Sequence, residues 1–307
     1  MMKEKIICRV LTGPTASGKS ELGLRLAEER GWEICCMDSM QIYRRMDIGT
    51  AKPTPEEQRR VRHHLLDICD PKDRFSVAMY RERAAKLIRE KWERENRELL
   101  FVGGTGLYLQ AMMHPMGMGM VSGDETLRAE LREISQQPDG KRILHERLSR
   151  LDPDSADRLP ENDVRRVIRA LEVTLISGVP FSKQPPGEET QDILWKAAAL
   201  WMPRELLYER INRRVDQMIE AGLKEEVQGL LAEGVPPEAQ SMQAIGYKEM
   251  LLHLNGTWDL ARTAEEIRKG TRHYAKRQET FLRREPAARP FDAQSQELMA
   301  DVMAYLS

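Results

Sequence analysis

The sequence has few cysteines, no long hydrophobic run, and no internal repeat or low-complexity tract. Its four cysteines, at positions 8, 35, 36 and 69, show no C-x-x-C spacing, which makes a zinc site improbable and favours buried thiols in a reducing cytosol. No apolar run approaches the about 18 residues of a membrane helix. The N-terminal run at 6–11 is short and is interrupted by Arg9. We therefore expect no signal peptide, no membrane association and a cytoplasmic location.

The sequence also lacks an excess of charge of one sign. It has 48 basic and 49 acidic residues, a net charge of −1, which gives no global sign of a nucleic-acid partner. The local distribution differs, since residues 262–284 carry eight Lys or Arg against three acidic residues. Such a run is either the solvated face of a helix or a binding surface, and the run alone does not decide between them.

The clearest motif is a phosphate loop at residues 13–20, a full match to G-x-x-x-x-G-K-[ST]. An apolar run precedes it and a helical pattern follows, which is the strand–loop–helix context that the motif requires. Backbone N–H groups can turn around an anion there, Lys19 adds a charge, and Ser20 can ligate magnesium. The pattern predicts a diphosphate or triphosphate site with magnesium as cofactor; the alternative is a Gly-rich turn with a surface lysine. The predicted site consists of Gly13, Pro14, Thr15, Ala16, Ser17, Gly18, Lys19 and Ser20.

The order of predicted elements indicates an α/β fold. Strands near 5–11, 33–37, 64–68 and 98–102 alternate with helices near 19–30, 55–62 and 76–95, which predicts a doubly wound parallel sheet. The pattern becomes mostly helical at 124–178, and a buried strand at 193–201 returns to the sheet. Helices follow near 204–221, 223–233, 243–254 and 258–284. We expect a P-loop NTPase-like core from 1–112 plus 201–307, and a mostly helical insert at 113–200.

Polar residues follow three of the predicted strands, where ligands of such sheets bind. They are the phosphate loop, Asp38 with Ser39, and the Gly-rich segment 103–106. The Asp38 carboxylate could accept a proton from a nucleophile or hold magnesium through water. The alternative is that Asp38 only caps a turn.

Eight further segments extend the pattern over nearly the whole chain. They are residues 38–43 (DSMQIY), 46–53 (MDIGTAKP), 64–68 (HLLDI), 102–108 (VGGTGLY), 162–163 (ND), 169–172 (RALE), 241–249 (SMQAIGYKE) and 272–278 (RHYAKRQ). Together with the phosphate loop, and in this order, they closely resemble the bacterial tRNA dimethylallyltransferases. A phosphate loop alone is common to many families, whereas this series is highly specific.

The resemblance implies transfer of a dimethylallyl group from dimethylallyl diphosphate to the exocyclic amine of the adenosine just 3′ of the anticodon. The products are isopentenyladenosine and pyrophosphate. It implies that the phosphate loop, with Lys19, holds the leaving diphosphate and that Asp38 is the general base. Thr105 would lie close to the reacting centre, although its hydroxyl could also cap the helix that follows.

The resemblance also implies a partner, the tRNA anticodon stem-loop. The implied tRNA-contacting residues are Asp38, Ser39, Met40, Gln41, Thr105, Arg128, Arg165, Arg166, Val167, Ile168, Arg169, Gln243, Ala244, Ile245, Gly246, Tyr247 and Lys248. Lys248 stands where some members carry arginine, which would replace a bidentate contact by a point contact. The basic run at 262–284 would then face the RNA backbone. We expect a monomer.

Three other functions remain open. A small-molecule kinase would share the N-terminal half, with Asp38 deprotonating a hydroxyl, but it needs neither the insert nor the basic helix. A nucleotide-gated RNA-binding module would not need Asp38 beside Lys19 and Ser20. An enzyme prenylating free adenine nucleotides would not need the implied tRNA-contacting segments.

Overall fold

The computed structural model describes residues 5–95, 97–114, 123–185 and 192–307. They divide into two compact units, one formed by Met1–Met113 with Thr190–Ser307 and the other by His114–Glu189. We call them the core unit and the insert unit. The structure thus places the second boundary of the insert at Glu189 rather than at 200, because the segment after it forms a strand of the core sheet.

Within the described residues, six strands of the core unit form one sheet. They are β1 (Ile6–Thr12), β2 (Glu33–Cys36), β3 (His63–His64), β4 (Leu99–Val102), β5 (Ile193–Trp201) and β6 (Ala288–Asp292). Their spatial order is β3-β2-β4-β1-β5-β6, and every pair is parallel. The predicted parallel α/β core is therefore confirmed. β1 lies between β4 and β5 and pairs with β5 from Ile6 opposite Ile193 to Thr12 opposite Ala199.

β3 is shorter than the strand expected at 64–68. Leu65 and Asp67 have φ angles of +61° and +53°. Residues with a Cβ seldom adopt this left-handed conformation, which cannot continue a strand. The strand therefore ends at His64.

Helices cover both faces of the sheet. The first part of the core unit contains α1 (Lys19–Arg30), α2 (Pro55–Arg60), α3 (Val77–Glu90), a π-helical turn at Lys91–Glu95, and α4 (Gly106–Met113). The insert unit contains α5 (Glu125–Gln136), α6 (Gly140–Leu151), α7 (Pro153–Arg158), α8 (Val164–Ser177) and a 3₁₀ turn at Phe181–Lys183. The rest of the core unit contains α9 (Arg204–Glu220), α10 (Leu223–Ala232), a 3₁₀ turn at Ser241–Gln243, α11 (Tyr247–Leu254), α12 (Leu260–Leu282) and α13 (Leu298–Leu306). None of the helices among the described residues is long and apolar enough to cross a bilayer.

Each unit has its own hydrophobic core. On one face of the sheet, Leu22 and Leu26 of α1 pack with Val302 and Leu306 of α13. The opposite face buries residues of α3, α4 and α10–α12, including Tyr80, Tyr108 and Tyr247. In the insert unit, Leu131, Leu144, Leu148 and Leu171 form a separate cluster. All four cysteines are free and buried, as the sequence predicted.

Candidate active site

The phosphate loop lies between the carboxyl end of β1 and the first residue of α1. Ala16 and Gly18 have φ angles of +64° and +91°, so the chain turns tightly, and the Ser17 N–H closes the turn on the Pro14 carbonyl at 3.2 Å. The first N–H groups of α1 have no partner within the helix. The Ser17 hydroxyl is buried and also has no hydrogen-bond partner among the described residues. Unpaired donors at a helix N-terminus form an anion site.

Lys19 lies over this loop. Its Nζ donates to the Pro14 carbonyl at 3.1 Å. Burial and, to a smaller extent, the charge of Arg214 lower the pKa of Lys19 to about 8, although the carboxylate of Asp38 opposes both effects. The side chains of Lys19, Arg214 and Asp38 are thus close enough to influence one another.

Two arginines of α9 approach the same site, and the sequence reasoning missed both. Arg214 Nη2 makes a long contact of 3.5 Å with the Thr50 carbonyl. Burial lowers the pKa of Arg214, and Asp38 opposes the shift. One turn earlier, Arg210 Nη1 lies 3.6 Å from where a Cβ on Gly18 would be. Their i, i+4 spacing on a predicted helix was the available signal, because such residues share one face.

Asp38 follows β2 and lies close enough to Lys19 of the phosphate loop for their charges to interact. Its Oδ1 accepts the backbone N–H groups of Met40 at 2.9 Å and Gln41 at 3.4 Å, so the carboxylate does cap a turn. Its Oδ2 accepts no hydrogen bond from the part of the chain that the structure describes. One oxygen is therefore structural, and the other is available to a reactant.

Thr105 is brought to the same turn. Its buried hydroxyl oxygen accepts the Ser39 N–H at 3.1 Å. α4 begins at the next residue, and the Thr105 carbonyl accepts the N–H groups of Tyr108 and Leu109. The hydroxyl thus fixes the Asp38 turn rather than capping α4.

Gln278 of α12 joins two loops of the site. Its Oε1 accepts the Thr15 N–H at 2.9 Å, and its Nε2 donates to the Gly104 carbonyl at 2.7 Å. A Cβ on Gly104 would overlap the Gln278 amide, which explains a glycine at this position. Tyr274 lies one turn earlier on α12, where burial and the charge of Asp38 raise its pKa.

The other implied tRNA-contacting residues of the core unit have mixed exposure. The Gln41 amide donates to the Thr50 and Ala51 carbonyls, both at 3.1 Å. The side chains of Ala244 and Tyr247 are buried, and Gly246 is also buried, so these three pack in the core. The exposed members of 243–248 are Gln243 and Lys248, and Ile245 is half-buried.

In the insert unit, Glu172 organises two of the implied arginines. Glu172 is fully buried, and it contacts Arg128 Nη2 at 2.8 Å and Arg169 Nη1 at 2.7 Å. Burial alone would raise the pKa of Glu172, but hydrogen bonds from these arginines outweigh it and lower the pKa. Arg128 and Arg169 line a concave surface together with Arg132, Arg165 and Ile168. Arg132 was not predicted.

The remaining implied residues of the insert unit lie on α8. Arg165 is exposed and has no acidic partner among the described residues, whereas Arg166 pairs with Asp163 at 3.7 Å. Val167 is buried in the insert core. The Ile168 side chain is also mostly buried, which leaves the arginines as the charged contacts.

The basic run of α12 consists of two different halves. In the first half, Arg268 pairs with Asp216, and Arg272 pairs with Glu265 at 2.7 Å. In the second half, His273, Lys276 and Arg277 are exposed and form no ion pair within the described ranges. Because ion pairs neutralise the first half, the second half is the better candidate for phosphate contacts.

The predicted magnesium site has few protein ligands. Among the residues that the structure describes, no three His, Cys, Asp or Glu side chains are grouped to hold a metal. The Ser20 residue is exposed at the start of α1. Mg²⁺ usually keeps several waters and binds substrate phosphates with one or two protein ligands, so this arrangement fits it.

The parallel sheet, the phosphate loop and the nearby carboxylate define a phosphate-loop enzyme. Residues 41–285 match the family model of the IPP transferases. A tRNA dimethylallyltransferase of Pelotomaculum thermopropionicum is 46% identical over 277 residues, covering 90% of this chain and 87% of that protein. The chain therefore belongs to the IPP transferase family, and the resemblance stated from the sequence is confirmed.

Two solved structures are similar over nearly the full chain. The tRNA isopentenylpyrophosphate transferase of Bacillus halodurans has a TM-score of 0.71 and 40% identity, covering 99% of this chain and 96% of that one. A eukaryotic dimethylallyltransferase acting on tRNA has a TM-score of 0.75 and 27% identity, covering 97% of this chain and 77% of that one.

Proposed function

We propose that the protein transfers a dimethylallyl group from dimethylallyl diphosphate to the exocyclic amine of the adenosine just 3′ of the anticodon in tRNA. The observation that supports this most directly is that the Asp38 carboxylate lies close enough to Lys19 and Arg214, at the phosphate loop, for their charges to interact. The reaction needs cationic groups that bind the departing diphosphate and a base that accepts the proton of the incoming amine.

The cationic side stabilises the leaving group. As the bond between C1 of the isoprenoid and the diphosphate oxygen breaks, negative charge grows on that oxygen. The phosphate-loop N–H groups, Lys19, Arg210 and Arg214 are positioned to stabilise this charge. Magnesium on Ser20 would supply further charge neutralisation.

The carboxylate side accepts the proton. The amine lone pair is delocalised into the purine, which makes the amine a poor nucleophile. As its nitrogen bonds to C1, its proton passes to Asp38, whose Oδ2 is free to accept it. Met40, Gln41 and Thr105 hold the Asp38 turn in position.

The RNA must present an extruded base, because a stacked adenine cannot reach this site; extrusion costs a few kcal/mol. Single-stranded loops are the parts of RNA that proteins read most readily. The exposed cations Lys276 and Arg277 in the core unit, and the arginine-lined surface in the insert unit, are candidates for backbone contacts.

One assay tests the proposal. The protein is incubated with dimethylallyl diphosphate, magnesium and unmodified tRNA, and the digested RNA is examined for isopentenyladenosine. Transfer to free AMP instead of tRNA, or phosphate transfer from ATP, would replace this proposal by one of its rivals.

The depressed pKa of Lys19 gives a pH prediction. Lysine is charged below its pKa, so the free enzyme loses this cation as the pH rises through about 8. We expect kcat/KM for the donor, which reports the free enzyme, to decline above that pH. In Lys19→Arg the decline should vanish, because arginine stays charged. A decline of the same shape in both proteins would contradict the assignment to Lys19.

The insert surface gives a second prediction. Arg165→Ala should raise KM for tRNA and leave donor binding unchanged, because Arg165 is exposed and has no acidic partner in the described part of the chain. The slope of log Kd against the logarithm of the salt concentration should fall by about one, which corresponds to the loss of one phosphate contact. Arg147→Ala, an exposed arginine of α6, is the matched control. Arg169 is a poorer choice, since its removal disturbs the buried Glu172. Weaker donor binding in Arg165→Ala would count against this role.

A further inference from the structure

Glu226 of α10 accepts hydrogen bonds from a loop next to the site. Three consecutive backbone N–H groups converge on its carboxylate: Asp47 and Ile48 on Oε2, both at 2.8 Å, and Gly49 on Oε1 at 3.1 Å. A fourth donor is the Tyr247 hydroxyl, which contacts Oε1 at 2.5 Å. A single carboxylate thus holds three successive peptides of the loop 47–49.

The loop is also packed closely against the neighbouring helices. A Cβ on Gly49 would overlap the Tyr247 ring and would lie 2.9 Å from Leu223. Burial and the charge of Glu226 raise the pKa of Tyr247, so its hydroxyl stays protonated as a donor. On the other side, buried Lys52 bonds Asp47 at 2.5 Å and Asp67 at 2.6 Å. The loop therefore has little freedom to move while these contacts are in place.

Thr50, the residue after this loop, contacts Arg214 of the active site. The Thr50 carbonyl is the acceptor for Arg214 Nη2, at 3.5 Å, and for Gln41 Nε2, at 3.1 Å. Among the described residues, this carbonyl is the hydrogen-bond partner of Arg214. The Thr50 carbonyl is therefore a direct link between this loop and the Arg214 guanidinium.

We propose that Glu226 is a positioning residue of the diphosphate site: it fixes the loop 47–49, and through the Thr50 carbonyl it orients Arg214 toward the diphosphate. The inference rests on the proposed function for the identity of the donor. Its physical content, control of anion binding through Arg214, can be measured with inorganic pyrophosphate alone. In this proposal Glu226 acts through the loop and not by contact with a substrate.

A double-mutant cycle tests the proposal. Binding of pyrophosphate with magnesium is measured by calorimetry for the wild type, Glu226→Gln, Arg214→Gln and the double variant. Glu226→Gln should weaken binding about tenfold in the wild-type background and less than about twofold when Arg214 is absent, because coupled residues are non-additive. Equal losses in both backgrounds would overturn the proposal, since they would mean that Glu226 acts on general stability.

Two further variants provide a control and a substitute for the double-mutant cycle. Glu225→Gln removes the adjacent exposed carboxylate, and it should bind pyrophosphate like the wild type. If Glu226→Gln does not fold, Tyr247→Phe takes its place, since it removes one donor and leaves the three backbone bonds. Its smaller loss of affinity should likewise vanish without Arg214; a loss that persists would overturn the proposal.

The substrate kinetics separate this inference from the proposed function. Glu226→Gln should raise KM for dimethylallyl diphosphate and leave KM for tRNA unchanged. A wild-type protein that binds pyrophosphate but prenylates no tRNA would refute the proposed function, and the cycle would still report on Glu226. An active wild type with an additive cycle would refute the Glu226 proposal alone.

Discussion

Asp38→Asn should lower kcat for dimethylallyl transfer by about 10²–10⁴-fold, the usual contribution of a general base. Asparagine is a more selective substitution than alanine here, because it removes the base and keeps the turn. Its amide oxygen can still accept the N–H groups of Met40 and Gln41, so the turn after β2 is retained. The amide cannot accept the proton of the attacking amine. The measurement is single-turnover transfer with saturating tRNA and donor.

Binding measurements complete this test. Kd for tRNA should change little in Asp38→Asn, and Asp38→Ala should show an additional loss because the turn is also disturbed. Equal losses of turnover and of tRNA affinity in Asp38→Asn would mean that the carboxylate serves recognition rather than proton transfer.

Arg214→Gln should lower kcat/KM for the donor by about 10²–10³-fold, the range found when one donor to a developing oxyanion is removed. Arg214 is half-buried near Lys19, where charge is less screened than at the surface, so its loss should have a strong effect at the leaving oxygen. Arg214→Lys should recover part of the activity, since it restores the charge without the planar fork.

The neighbouring residue provides the control. Arg213 lies on the same helix but is exposed, so Arg213→Gln changes the net charge of α9 without altering the site. It should have donor kinetics close to the wild type. A comparable loss in Arg213→Gln would assign the effect of Arg214 to long-range electrostatics rather than to contact with the diphosphate.

The central part of the fold was predictable because it consists of continuous apolar strands joined to helices. β1, β2, β4 and β5 are close to the ranges expected from hydrophobicity. β6 was missed, since Arg289 and Pro290 interrupt its pattern. Its place at the sheet edge, paired with β5, tolerates both residues. α13 was also missed. The apolar residues at 64–68 predicted a strand of five residues, whereas the positive φ angles of Leu65 and Asp67 end β3 at His64.

The site was predictable where its residues follow strands in the sequence. Asp38, Thr105 and the phosphate loop all follow parallel strands, whose carboxyl ends meet at one edge of the sheet. Arg214, Gln278 and Glu226 lie on helices, and their positions depend on packing that no short sequence window contains. The motif at 241–249 did not show which of its residues are exposed: Tyr247 is buried, and the adjacent Lys248 is exposed.

The two hydrogen bonds of the Gln278 side chain limit how far the protein can be shortened. Its partners, Thr15 and Gly104, lie 263 and 174 residues earlier in the chain. A fragment that stops before α12 would keep the complete phosphate-loop motif. The loops that contain Thr15 and Gly104 would nevertheless lose the Gln278 amide that joins them. A minimal domain cut around the motif would therefore be a poor starting point for engineering, whereas complementation between two separately expressed halves would report directly on assembly of the reaction centre.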